Sequence, residues 1–100
     1  MYRFTRVVTT KTVHDLAPGV QFATEVIAYV NKTYSLKMKY GVEVFGGTKI
    51  HFTWDADSLD KIMEINAKVA QDREYLGMLG KNKHLWLEGS VKDTLVLYSE

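Results

Sequence analysis

Two pairs of polar residues have the types and spacing to do chemistry. His51 and Glu43 lie within Met38–Trp54, a stretch of strict apolar–polar alternation that reads as two half-buried strands. A histidine beside a carboxylate is a general acid/base combination, so this is the candidate catalytic pair. Its structural alternative is a polar cluster in which Glu43 simply pairs with Lys49. Asn66 and Arg73 are seven residues apart in a helical pattern, on the arc that also carries the apolar side chains. A polar group on a buried arc must find a partner. Lining a pocket between helix and sheet, Arg73 would bind a carboxylate or phenolate through its planar fork. Alternatively, Arg73 reaches solvent along its stem and Asn66 bonds a backbone carbonyl. Trp54 and Phe22 would give such a pocket an aromatic wall, although aromatic residues more commonly serve as core.

Much other chemistry is excluded. The chain has no cysteine, which rules out disulfides, thiolate metal sites and cysteine nucleophiles and suits a reducing, cytoplasmic location. His14, His51 and His84 lack metal-ligand spacing. There is no phosphate loop, dinucleotide fingerprint, zincin motif or serine elbow. No cofactor and no metal are therefore expected. A net charge of +1 gives no field that favours nucleic acid or an anionic membrane. No signal peptide and no run of membrane-spanning length is present. One hundred residues make a single domain, 1–100, with room for one core.

The elements that must position these residues follow in order. Tyr2 to Thr10 is rich in β-branched and aromatic residues and reads as a strand. Tyr2, Phe4, Arg6 and Val8 share one side, and Arg3, Thr5, Val7 and Thr9 the other; pattern alone does not say which side is buried. A helix from Leu16 to Lys32 has Asp15 as a candidate cap and Pro18 in its first turn. Its main stripe is Leu16, Val20, Ala23, Ile27, Val30 and Tyr34. A second stripe, Phe22, Val26 and Tyr29, reads as wide core, or as the cover of an internal pocket or a partner subunit.

In the hairpin, a three-residue loop at Phe45-Gly46-Gly47 pairs Val42 with Ile50 and Tyr40 with Phe52. It leaves one face almost wholly apolar and places Glu43, Lys49 and His51 on the other. Gly47 is the expected left-handed residue. A second helix is read from Ser58 to Leu79, opened by Asp55, Asp57 and Asp60 and closed by Gly80. Its buried arc holds Leu59, Ile62, Met63, Ile65, Val69, Ala70 and Leu76, with Tyr75 on the wet side. Lys81–Lys92 is a connection with a helical turn near His84–Leu87, where Trp86 anchors to the core. Asp93–Ser99 is a last strand.

The order strand, helix, strand, strand, helix, strand is the ferredoxin-like split βαβ arrangement, an α+β fold. A four-stranded antiparallel sheet then carries two helices on one face. The open sheet face lacks the aromatic and basic motif of an RNA-recognition domain. The chain resembles the dimeric α+β barrel superfamily, in particular its small antibiotic-biosynthesis monooxygenase-like and NIPSNAP-like members. The resemblance lies in layout. It includes the strand-to-helix passage Trp54-Asp55-Ala56-Asp57-Ser58-Leu59 and a long second helix ending Asp72-Arg73-Glu74-Tyr75-Leu76. It implies a homodimer through the open sheet face and a small apolar or aromatic ligand between helices and sheet. If the protein is an enzyme, it implies cofactor-independent, monooxygenase-like chemistry. The asparagine, tryptophan and histidine of the superfamily's heme-degrading branch have no counterparts here. The competing expectation is a non-catalytic dimerisation or stress-associated module.

Overall fold

The computed structural model describes residues 1–99. Alternation in the N-terminal segment becomes strand β1, Tyr2–Thr9. The helical stripes become α1, Leu16–Tyr34, entered through a 3-10 turn at Val13–Asp15. Asp15 accepts from the backbone and the hydroxyl of Thr12 and so closes that turn. Helix α1 runs two residues beyond the expected Lys32 and stops at Ser35, whose φ of 55° is left-handed. Strands β2, Lys39–Val42, and β3, Lys49–Ala56, form the hairpin.

Its register is the expected one, Val42 facing Ile50, Tyr40 facing Phe52 and Gly41 facing His51. The loop differs. Regular pairing ends at Val42, leaving residues 43–48 outside the strands, and the left-handed glycine is Gly46 (φ 67°), not Gly47. Gly47 lies against the Glu43 side chain. A Cβ there would lie 2.5 Å from Glu43 Oε1, because the Glu43 side chain folds over the loop.

The long second helix is two helices. Helix α2 is Leu59–Ala70, capped by Ser58, which accepts from the Lys61 N–H. The chain breaks at Gln71, and Asp72 caps a new helix, α3, Arg73–Asn82. The break resets the helical phase. Arg73 and Leu76 are exposed, whereas Tyr75 turns inward. Ahead of the break, Leu59, Met63 and Ala70 are exposed as well, because the buried arc of α2 is narrower than expected, with Ile62 and Ile65 its fully buried residues. Gly80 lies inside α3 and does not end it. A 3-10 turn at Lys83–Leu85 leads to Trp86, which bridges Thr10, and β4 occupies Lys92–Leu97.

The sheet order is β2-β3-β1-β4, with every neighbouring pair antiparallel. This is the ferredoxin-like arrangement, with three helices where two were expected. Phe4 and Val8 are buried beneath the helices, which settles the orientation of β1. Three clusters make the core. Phe4, Trp54, Ile62 and Ile65 pack under α2. Val8, Ala23, Ile50 and Phe52 pack under α1. Phe22, Val26, Val30 and Leu85 fill the space between α1 and the α3 side. The second stripe of α1 therefore faces protein, and β4 is exposed along its length.

Candidate functional site

Members of all three clusters line a cavity of about 170 Å³ between sheet and helices. Its floor is Phe4, Arg6 and Val8 from β1 with Phe52 and Trp54 from β3. One wall is Phe22, Val26 and Val30 of α1; the other is Ile65, Asn66 and Val69 of α2 with Tyr75 and Leu79 of α3. Trp86 stands edge-on to Phe22, ring centroids 5.3 Å apart, and helps to close one end. The space is almost wholly apolar, and its polar side chains include Arg6, Asn66 and Tyr75.

Arg6 is the residue that sequence reading missed. It occupies the inward position between Phe4 and Val8 on a central strand. Directly opposite on β4 is Asp93. Arg6 Nε and Nη2 donate to the two Asp93 carboxylate oxygens at 2.8 and 2.9 Å. This fork-to-fork geometry fixes the guanidinium plane. The Asp93 hydrogen bond, with smaller help from Tyr75, holds Arg6 above the ordinary arginine pKa against the opposing effect of burial. A signal was present in the chain: a charged residue alternating in step with Phe4 and Val8 has to be paired. Its partner could be found only from the β1–β4 register.

Among the residues expected to bind substrate, Phe22, Trp54 and Asn66 line the cavity. Arg73 does not. It opens α3 as an exposed residue, because the chain break takes it off the Asn66 line. His51 and Glu43 do meet, with His51 Nε2–H donating to Glu43 Oε2 at 2.8 Å. They lie on the other face of the sheet. That face also carries the Arg3–Asp55 ion pair at 2.9 Å and a hydroxyl contact between Thr5 and Thr53 at 2.8 Å.

Helix α3 is positioned over the cavity by Asp72. Tyr29 and Tyr34 of α1 both donate phenol hydrogens to its Oδ2, at 2.7 and 2.5 Å, while the Tyr75 N–H donates to Oδ1. Hydrogen bonds from Tyr29, Tyr34 and the Tyr75 backbone push the Asp72 carboxyl down to about 2. The same contact with Asp72, reinforced by desolvation, pushes the Tyr34 phenol up to about 12. Among the described residues, no group of three or more His, Asp or Glu is placed to hold a metal ion. No helix among them is long and apolar enough to cross a membrane.

No protein-family model and no curated protein matches the chain. Solved structures share its fold. A NIPSNAP family protein from Agrobacterium tumefaciens superposes with a TM-score of 0.80 at 16% identity, over 99% of this chain and 93% of that one. SnoaB, a cofactor-independent oxygenase from Streptomyces nogalater, superposes with a TM-score of 0.70 at 10% identity, over 99% and 93%. A dimeric ferredoxin-like protein from an uncultured marine organism gives 0.75 at 13% identity, over 99% and 89%. These neighbours match the superfamily that the layout resembles, and at such identities the likeness is one of fold.

Proposed function

We propose that this chain is a homodimeric small-molecule-binding protein whose cavity takes an apolar or aromatic molecule. One observation carries the reading: an apolar space of about 170 Å³ at the meeting point of three core clusters. Protein interiors pack as densely as organic crystals and hold few voids larger than a water. A void of this size forfeits contacts on every wall, and an occupant restores them. Native mass spectrometry of the purified protein tests this. A co-purifying small molecule lost on denaturation is the expected result; an empty protein that no apolar compound stabilises would refute the reading.

The second copy docks on the open sheet face. Exposed Val96 and Tyr98 lie on that face beside Arg3, with Val7 two rungs further along opposite Lys92, and exposed apolar groups of this kind favour association. The polar groups beside them are already paired with one another, as His51–Glu43, Thr5–Thr53 and Arg3–Asp55. These pairs can be covered with their donors satisfied, while Lys39, Lys49 and Lys92 on the same face would have to reach the rim or a carboxylate of the second copy. In this reading His51 and Glu43 belong to the interface and not to the cavity. One of the fold neighbours is itself described as dimeric. Likeness to a cofactor-independent oxygenase extends the proposal to oxygenation of the bound molecule, and the lack of cysteine suits a reducing cytoplasm. A non-catalytic dimerisation module is the alternative, and a filled or unoccupiable cavity would favour it.

A further inference from the structure

The cavity's size and its one charged lining residue narrow the occupant further. This step rests on the proposal that the cavity is a binding site. An apolar cavity of about 150 Å³ accommodates benzene. The space here, about 170 Å³, therefore takes one ring with a small substituent, and a fused polycycle would require α3 to move. Its walls present the rings of Phe4, Phe22, Phe52, Trp54 and Trp86, which favours an aromatic ligand through edge and offset packing.

Arg6 sets the polar end. A guanidinium has five N–H donors. Asp93 engages Nε and Nη2, at 2.8 and 2.9 Å, and the Tyr75 hydroxyl lies near the guanidinium, so the remaining N–H groups can serve a further acceptor alongside Tyr75. The charge, however, is already matched. A ligand carboxylate approaching Arg6 would also approach Asp93, and the like charges repel, although the pair is more than one-third solvent-exposed and so partly screened. An uncharged carbonyl or phenol oxygen gains the charge-assisted hydrogen bond without that repulsion. Asn66 and Tyr75, also in the lining, present further groups able to donate or accept.

We infer that the occupant is a single-ring aromatic molecule bearing one uncharged oxygen acceptor, and that Arg6, held by Asp93, is the residue that selects it. Calorimetric titration of the full chain with toluene, acetophenone and benzoate tests this. Acetophenone is expected to bind about tenfold tighter than toluene, the worth of one hydrogen bond to a charged donor, with benzoate weakest. Arg6→Met is expected to bring acetophenone down to the toluene level. Asp93→Asn frees the guanidinium charge and is expected to raise benzoate affinity about tenfold. The second variant carries the test if Arg6→Met fails to fold. Equal binding of toluene and acetophenone, or tightest binding of benzoate by the unsubstituted protein, would overturn the inference while leaving the cavity a binding site. Failure of all three probes to bind would overturn both.

Discussion

Tyr34 on α1 donates its phenol hydrogen to Oδ2 of Asp72, the cap of α3, at 2.5 Å. Tyr29 donates to the same oxygen, so two turns of one helix hold the start of another. None of the residues of α3 is fully buried. This latch adds to the packing of Tyr75, Met78 and Leu79 against the Phe22–Val26–Val30 cluster in holding α3 over the cavity.

The latch has a pH window whose sign follows from the two shifts. The Asp72 carboxyl is lowered from 3.8 to about 2. Its stabilising contribution is complete above the unfolded value and is lost as pH falls from 3.8 towards about 2. The Tyr34 phenol is raised from 10.0 to about 12. That contribution is complete below 10.0 and is lost as pH rises towards about 12. Thermal melting across this range should show both limbs. Asp72→Asn keeps a competent helix cap but removes the titrating charge, so its acid limb should be flatter. An unchanged acid limb would count against the latch.

The break between α2 and α3 makes opposite predictions for two residues of like size. Ile62 is 1% exposed and Leu76 is 47% exposed. Ile62→Ala should cost about 2–5 kcal/mol in urea unfolding. Leu76→Ala should stay within about 0.5 kcal/mol of the starting protein. An unbroken helix would have buried both, so comparable losses would contradict the observed phase.

Filling the cavity should separate binding from folding. Val26 is a buried wall residue on α1. Val26→Phe places a ring in the space a ligand would use, at a strain cost of about 1–3 kcal/mol if the walls do not adjust. The variant should keep its circular dichroism and lose toluene binding by at least about tenfold, roughly 1.4 kcal/mol. Undiminished binding would place the ligand elsewhere.

The open face should report the oligomeric state. Thr5 is central on that face and contacts Thr53. Thr5→Glu buries a carboxylate against a second copy if the dimer forms there, a change that costs several kcal/mol. Sedimentation at micromolar concentration should shift from dimer to monomer while the melting of the monomer fold persists. A dimer indifferent to this substitution uses another surface.

Sequence pattern carried the architecture further than the site. The hairpin register was legible because a one-residue slip would have turned Ile50 and Phe52 to the wrong face. The second stripe on α1 signalled that Phe22 and Val26 needed cover other than the sheet. Asn66 and Trp54 were placed at the cavity by the periodicity of their own elements. Arg73 was misplaced because Asp72 can serve either as an ordinary exposed residue within a helix or as the cap of a new one. The cap is supported by the Tyr75 N–H close by and by the phenols of Tyr29 and Tyr34, which are distant in sequence. Arg6 and Asp93 were hidden for a related reason. They are 87 residues apart, and the pairing depends on two strands that meet only in the folded sheet.

The position of that pair in the chain has a temporal consequence. Strand β4 follows every other element, yet it supplies Asp93, the partner of a β1 residue in the floor of the cavity. During vectorial synthesis, Arg6 is made long before its carboxylate partner at residue 93. A domain generally folds as a unit, so the Arg6–Asp93 pair forms only once β4 is available to complete the sheet. In the proposed reading, recognition through Arg6 therefore waits on β4. It comes when β4 closes the sheet, and exposed β4 is also where fraying would first remove it.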